Sequence, residues 1–311
     1  MIKYTRRFGD RYDGYRVKNV DPFFFIIPQV MSERVDSQVY FSDEIDITAL
    51  ERFVREHANS DIPGLKLYHV VIAACIRLAA IRPYFNRFVA GRRIFQRNYL
   101  SVSMAIKRHS DREETTTLKI PFDPKDTLLD VTRKFNQQVE DNKTVIDENG
   151  TDHVAKVLGH MPTFLLTAAI RFLRMLERHG RLPKIINRVS PFHTSFFLTN
   201  MGSLGVPPIY HHIYEFGTTS IFLAMGNKHT RNETDLQGNL VSRRKMGIKV
   251  VADERICDGA YYAAGMRMLN RLLKNPQALL TPPEQVLFDD GVLLKGRKPY
   301  EAEVSDRLEF F

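Results

Sequence analysis

Val250-Val251-Ala252-Asp253-Glu254-Arg255-Ile256-Cys257-Asp258-Gly259-Ala260 joins an apolar strand to the last clear helix of the chain. The strand reads over 241–253. Tyr262, Met266, Leu269 and Leu273 recur at helical spacing, which predicts a helix over about 259–274 with Asn275-Pro276 as its stop. Asp258 stands at the mouth of that helix, where a carboxylate can cap the first free backbone N–H groups. Glu254 and Arg255 are sequence neighbours, and strand alternation would point them apart.

Working outward, Phe196-Phe197-Leu198-Thr199-Asn200-Met201-Gly202-Ser203-Leu204-Gly205-Val206 reads as a second strand, 195–199, closed by a glycine-bearing turn. A third strand reads over 219–226. Upstream, Val39, Phe41 and Ile45 alternate with polar neighbours and lead into helical spacing at Ile47, Leu50, Phe53 and Val54. Residues 67–81 are apolar all round until Arg82-Pro83, the mark of a helix packed on several sides. Leu100, Val102, Met104 and Ile106 alternate as a strand with one wet face, and Leu128, Val131, Phe135 and Val139 form a helical stripe capped by Asp126 or Thr127. Residues 161–181 differ: Phe164, Leu165, Phe172 and Leu173 supply apolar surface while Arg171, Arg174, Arg178 and Arg181 supply charge. This is a basic amphipathic helix, either laid on the core or free to dock a partner or a membrane interface. After Leu280 the pattern fades. Strands and helices mix throughout without a repeat or linker, so the expected organisation is one α/β domain over 1–280, with a helical insertion at about 161–181 and a C-terminal extension over 281–311.

Composition narrows the class of protein. With 43% hydrophobic and 26% charged residues in 311, the chain should fold around a sizeable core and not as a disordered or fibrous one. Two cysteines, Cys75 and Cys257, build no disulfide framework, so a reducing, cytoplasmic setting is the expectation. The apolar stretches 22–30 and 70–81 are broken by Pro28 and Arg77 and fall short of the roughly 20 residues of a membrane span. The net charge of +9 favours anionic partners. Its clusters, Arg92-Arg93 and Arg243-Arg244-Lys245, lack interleaved stacking aromatics, so no specific nucleic-acid partner is expected.

Nucleotide-binding glycine loops, a Gly-x-Ser-x-Gly elbow and a His-Glu-x-x-His metal motif are missing from the sequence. His211-His212 are adjacent and on a strand would face opposite ways, so no metal site is expected.

The segment 250–260 resembles the His-x-x-x-Asp-Gly signature of the chloramphenicol acetyltransferase-like superfamily, in particular the catalytic domains of 2-oxo acid dehydrogenase dihydrolipoyl acyltransferases, with Glu254 where the family has its histidine. The run 196–206 resembles the strand and turn that carry the family's oxyanion-stabilising serine, with Thr199 at that position. Asp46-Ile47-Thr48-Ala49-Leu50 and the helix ending at Arg82-Pro83 extend the likeness over about residues 20–280. The resemblance implies a mixed sheet flanked by helices, assembly as a homotrimer or a larger trimer-based particle, and active sites between subunits that bind coenzyme A or related thioesters. It implies Glu254, Thr199 and Asp258 as catalytic positions, with Asn200, Gly202 and Gly259 shaping the oxyanion side and the loop. In the family that aspartate forms a structural ion pair with an arginine. Arg6, Arg7, Arg11 and Arg16 are candidates here.

The exchange of histidine for glutamate has a chemical cost. Thiols ionise near about pH 8.5, imidazole near about 6.5 and glutamate near about 4.3. Proton transfer from thiol to histidine is then uphill by about 2.7 kcal/mol and to an ordinary glutamate by about 5.7 kcal/mol, a difference of about a hundredfold in rate. Glu254 therefore reads as a tuned base in an apolar channel, a base for other chemistry, or a structural relic. His193, His211 and His212 lie near the Thr199 strand as substitute imidazoles. Two functions stay open: an acyltransferase acting on thioesters, and a catalytically silent homologue, a pseudoenzyme serving as an oligomeric scaffold or partner-binding protein.

Overall fold

The computed structural model describes residues 2–3, 7–107, 115–144, 159–292 and 302–303. Its main sheet has six strands in the order β3 (Gln38–Asp46), β10 (Leu240–Asp253), β9 (Ile221–Thr234), β8 (Phe196–Asn200), β6 (Leu100–Lys107) and β7 (Thr115–Phe122). The sheet is mixed: β8 runs parallel to both neighbours, while β10 runs antiparallel to both β3 and β9, and β6 to β7. A smaller sheet has the order β2 (Gly14–Arg16), β5 (Arg93–Arg97) and β4 (Arg87–Ala90), and β1 (Ile2–Lys3) pairs with β11 (Ala302–Glu303). The helices are α1 (Pro22–Val30), α2 (Thr48–Ala58), α3 (Leu67–Ile81), α4 (Leu128–Thr144), α5 (Thr163–Arg178), α6 (Lys184–Val189) and α7 (Gly259–Lys274).

The all-round apolar segment is the hub of the core. Helix α3 is buried from His69 to Ala80 and contacts α2, α4 and α7. Burying a side chain such as Ile72 or Ile76 stabilises the fold by about 1.5–3 kcal/mol. Arg77, the one charge in this stretch, donates to the carbonyls of Ala278 and Thr281. Leu128, Val131 and Phe135 of α4 are buried as their spacing predicts, and Thr127 caps that helix by accepting from the Asp130 N–H at 3.3 Å. Helix α7 matches its expected span and is capped by Asp258.

The structure adds helix α1 and the β4–β5 hairpin, which the sequence reading did not give, and departs from that reading elsewhere. Strand β9 does not stop at Gly226 but continues to Thr234 as a hairpin with β10. Its outer half is polar on both faces, so it carries no hydrophobic period. Asp235 closes the turn by accepting from the Gln237 and Asn239 N–H groups at 2.9 and 2.8 Å. Strand β7 holds Pro121, which is tolerated because β7 lies at the sheet edge. His211 and His212 are not on a strand but in an irregular segment, where their rings stack 4.9 Å apart and His211 lies flat on Phe222 at 4.1 Å.

Beyond Leu280, residues 281–292 lie against the core. The Leu287 N–H donates to Ala80 at 2.8 Å, Val292 is fully buried, and Asp289 pairs bidentately with Arg87 at 2.6 and 2.7 Å. No helix among the described residues is long and apolar enough to cross a membrane.

Candidate functional site

Strand β10 ends at Asp253, and a single 3-10 turn, Glu254–Ile256, carries the chain to α7. The turn is fixed from below. Asp253 is buried and accepts from Arg255 through Nε at 2.8 Å, Nη2 at 2.7 Å and the backbone N–H at 3.1 Å. The Ser37 hydroxyl donates to the same carboxylate at 3.1 Å, and the Arg34 guanidinium stands 3.7 Å away. Arg255 also donates to the Met31 carbonyl at 2.9 Å. The Arg255 side chain is thereby turned inward, and Glu254 is left exposed on the single chain.

Asp258 and Gly259 are exposed at the same corner. The Asp258 carboxylate accepts from the Tyr261 N–H at 2.7 Å, so in this chain it serves as a helix cap. Among the described residues it forms no ion pair with the proposed arginines. Arg11 is bound bidentately to Asp13 at 2.7 and 3.0 Å, and the Arg7 and Arg16 backbone N–H groups donate to Asp10. Arg6 lies outside the described residues. The aspartate–arginine pair that braces this loop is Asp253 with Arg255.

The other half of the predicted site forms at the far end of the sheet. Thr199 and Asn200 end β8 half-buried, and Met201–Leu204 turns the chain. The Thr199 hydroxyl lies 3.8 Å from the Met201 sulfur, and the Ser203 hydroxyl donates to the Asn200 carbonyl at 2.7 Å. Gly202 is required by packing: a Cβ there would run into the Gly226 carbonyl of β9. Asn200 and Gly202 border a cleft of about 1210 Å³ rimmed by Arg52, Arg55, Lys66, Lys228 and Arg244. Glu51 pairs with Lys228 at 2.8 Å and Arg244 at 3.3 Å. Burial pushes the Glu51 carboxyl up, but hydrogen bonds and charge from those two cations more than offset it and hold the carboxyl below its usual range. No sequence motif flagged this rim, because its cations come from four separate segments. Its local traces are fragments: Arg52 and Arg55 at i and i+3 on α2, and Arg244 within the basic cluster 243–245.

The two halves do not meet within one chain. Thr199 is opposite Ala224 and Ala224 opposite Lys249, so Glu254 stands five residues further along β10 and two strands across. That is about 19 Å at the usual strand rise and spacing. The three candidate histidines sit in different surroundings. His193 is fully enclosed, with Nδ1 2.8 Å from the Ser190 hydroxyl and Nε2 3.1 Å from Glu177. Burial pushes its pKa down against the opposing pull of Glu177. His211 and His212 are occupied in ring stacking. Among the described residues no group of three or more His, Cys, Asp or Glu side chains is placed to hold a metal ion.

Residues 188–281, which include both half-sites, match the family model of the 2-oxoacid dehydrogenases acyltransferase (catalytic domain). No curated protein matches the sequence. The fold is similar to that of a probable dihydrolipoamide acetyltransferase from Listeria monocytogenes, with 14% identity over 82% of this chain and 92% of that one and a TM-score of 0.52. Two other similar structures are the cubic core of the pyruvate dehydrogenase multienzyme complex, at 16% identity, 82% and 90% coverage and a TM-score of 0.49, and chloramphenicol acetyltransferase, at 14%, 82% and 99%, and 0.47. The chain has the chloramphenicol acetyltransferase-like fold, a mixed sheet flanked by helices.

Proposed function

We propose that this protein transfers acyl groups from coenzyme A or a related thioester, in a channel formed where the Glu254 corner of one copy meets the Thr199 turn of the next. The observation that carries the reading is the large cleft at the oxyanion end. It is roomy enough for a cofactor-sized ligand, it is bordered by Asn200 and Gly202, and its cationic rim complements phosphate groups. The separation of the half-sites along the sheet supports a homotrimer, or a larger particle built from trimers, as the working form. The buried, unpaired cysteines Cys75 and Cys257 fit a reducing cytoplasm.

In this mechanism Glu254, desolvated once a neighbouring copy covers it, takes the proton from the attacking thiol. The Thr199 hydroxyl and the Asn200 side of the turn donate to the oxyanion of the tetrahedral intermediate, which then collapses and expels the thiolate of the donor thioester. Asp253, Arg255 and Asp258 hold the Glu254 turn. An acyl-exchange assay with acetyl-coenzyme A and an acceptor thiol tests the reading: turnover should be present and be lost in Glu254→Ala. Glu254→His restores the better-matched base and should raise the rate by up to about a hundredfold.

The exposure of Glu254 on the isolated chain favours a second reading, the silent scaffold. That reading predicts no turnover with any thioester and none after Glu254→His.

A further inference from the structure

Helix α5 has one half-buried face, made by Leu166, Ala169, Ile170, Leu173 and Leu176, and one bare face. Of its residues only Glu177 is buried, while Phe164, Leu165, Phe172 and Met175 are exposed, Phe164 by 72%. At 100° per residue these four and Ala168 form one outward stripe, and Arg171, Arg174 and Arg178 run alongside it. Helix α1 also leaves apolar side chains bare, with Phe23, Phe25, Ile26 and Val30 all more than half exposed, but it carries no charge of its own.

The two helices end on the same hairpin. Gln29 of α1 donates to the Arg92 carbonyl at 3.0 Å, Gly91 is pressed against the Arg178 carbonyl at the end of α5, and Arg178 reaches Glu33, just beyond α1, at 3.4 Å. Between the helix ends lies a cleft of about 550 Å³ lined by Arg92, Arg93, Arg174 and Arg178 among others. A second hollow, of about 240 Å³, continues from Arg92 and Arg93 along Phe24, Phe25 and Pro28 of α1.

We infer that this composite face docks the protein on an anionic phospholipid bilayer, with the exposed rings of α1 and α5 entering the interface and the arginines between them engaging lipid phosphates. Exposed aromatic and aliphatic side chains beside arginines are the composition that seats an amphipathic helix at a lipid surface. Charge decides against a two-fold contact between copies as the occupant: Arg92, Arg93, Arg171 and Arg174 form no ion pair among the described residues, and such a contact would set that cluster against itself. A lipid surface rich in phosphate provides the complementary sign.

Co-sedimentation with vesicles tests this, with phosphatidylcholine alone compared with an equal mixture of phosphatidylcholine and phosphatidylglycerol. The protein should bind the mixed vesicles and release from them as salt rises, while pure phosphatidylcholine retains little. Each basic residue at such a surface contributes about fivefold, so Arg171→Gln with Arg174→Gln should weaken binding about 25-fold and flatten the salt dependence. Phe164→Glu with Phe172→Glu should abolish binding and, because both sites are exposed, leave the melting temperature unchanged. The proposal is overturned if the parent protein ignores mixed vesicles, if these variants bind as the parent does, or if the phenylalanine variants instead change the sedimentation coefficient of the assembly, which would mean that a second copy covers the face.

Discussion

His69 shows how one side chain ties stability to pH. It is buried in α3 beside Tyr68 and Phe135, and its Nδ1 accepts the Lys66 N–H at 3.0 Å, which fixes the neutral ring. Burial, with help from the Lys66 charge, presses its pKa down to about 3. In the unfolded chain the ring takes a proton below about pH 6.5. The unfolded state therefore binds more protons between these limits, so the His69 contribution is complete above pH 6.5 and declines as pH falls, by about 1.4 kcal/mol per pH unit. Urea unfolding from pH 7.5 to 5 should show this slope, and His69→Gln should flatten it. A second residue-level prediction concerns the loop brace. Asp253→Ala leaves the Arg255 and Arg34 guanidinium groups buried without their carboxylate, and should cost about 3–5 kcal/mol in the same unfolding experiment.

At the scale of elements, the segment 281–292 acts as a clasp. The Arg87 guanidinium donates to Asp289 twice and to the Ile256 carbonyl at 3.2 Å, and lies 3.4 Å over the Tyr84 ring, so the clasp also touches the turn that carries Glu254. Asp289→Ala should destabilise by about 3–5 kcal/mol, because it strands a buried charge, and hydrogen exchange should rise at Ile256 and its neighbours. The β8 turn is equally constrained. Gly202→Ala should shift the turn away from β9, visible as altered exchange at Asn200 and Gly226 and, in the proposed enzyme, as a loss of turnover that exceeds the loss of stability.

For the whole molecule, the separation of about 19 Å between Glu254 and Thr199 makes activity a property of the assembly. Glu254→Ala and Thr199→Ala chains, each inert alone, should recover about a quarter of parental turnover when unfolded together and refolded as an equal mixture, since that is the chance that a random interface draws both intact halves. Recovery that never rises above either variant alone would place the reaction within one chain, or deny it. The vesicle experiment belongs to this scale too, because the docking face is made by two helices far apart in sequence that are brought together at the β4–β5 hairpin and by the Arg178–Glu33 pair.

Much of the architecture was legible in local pattern. The all-round apolar run of α3, the span and cap of α7, and the strand and turn around Thr199 are written in side-chain period and in glycine, proline and aspartate placement, all of which act over a few residues. The inward turn of Arg255, the use of Asp258 as a plain cap, the clasp of Asp289 on Arg87, the cationic rim of the large cleft and the bare stripe of α5 were decided only by tertiary structure. Each depends on which distant segments come together, and strand register and burial set that by contacts between residues tens to hundreds of positions apart, which no local period encodes.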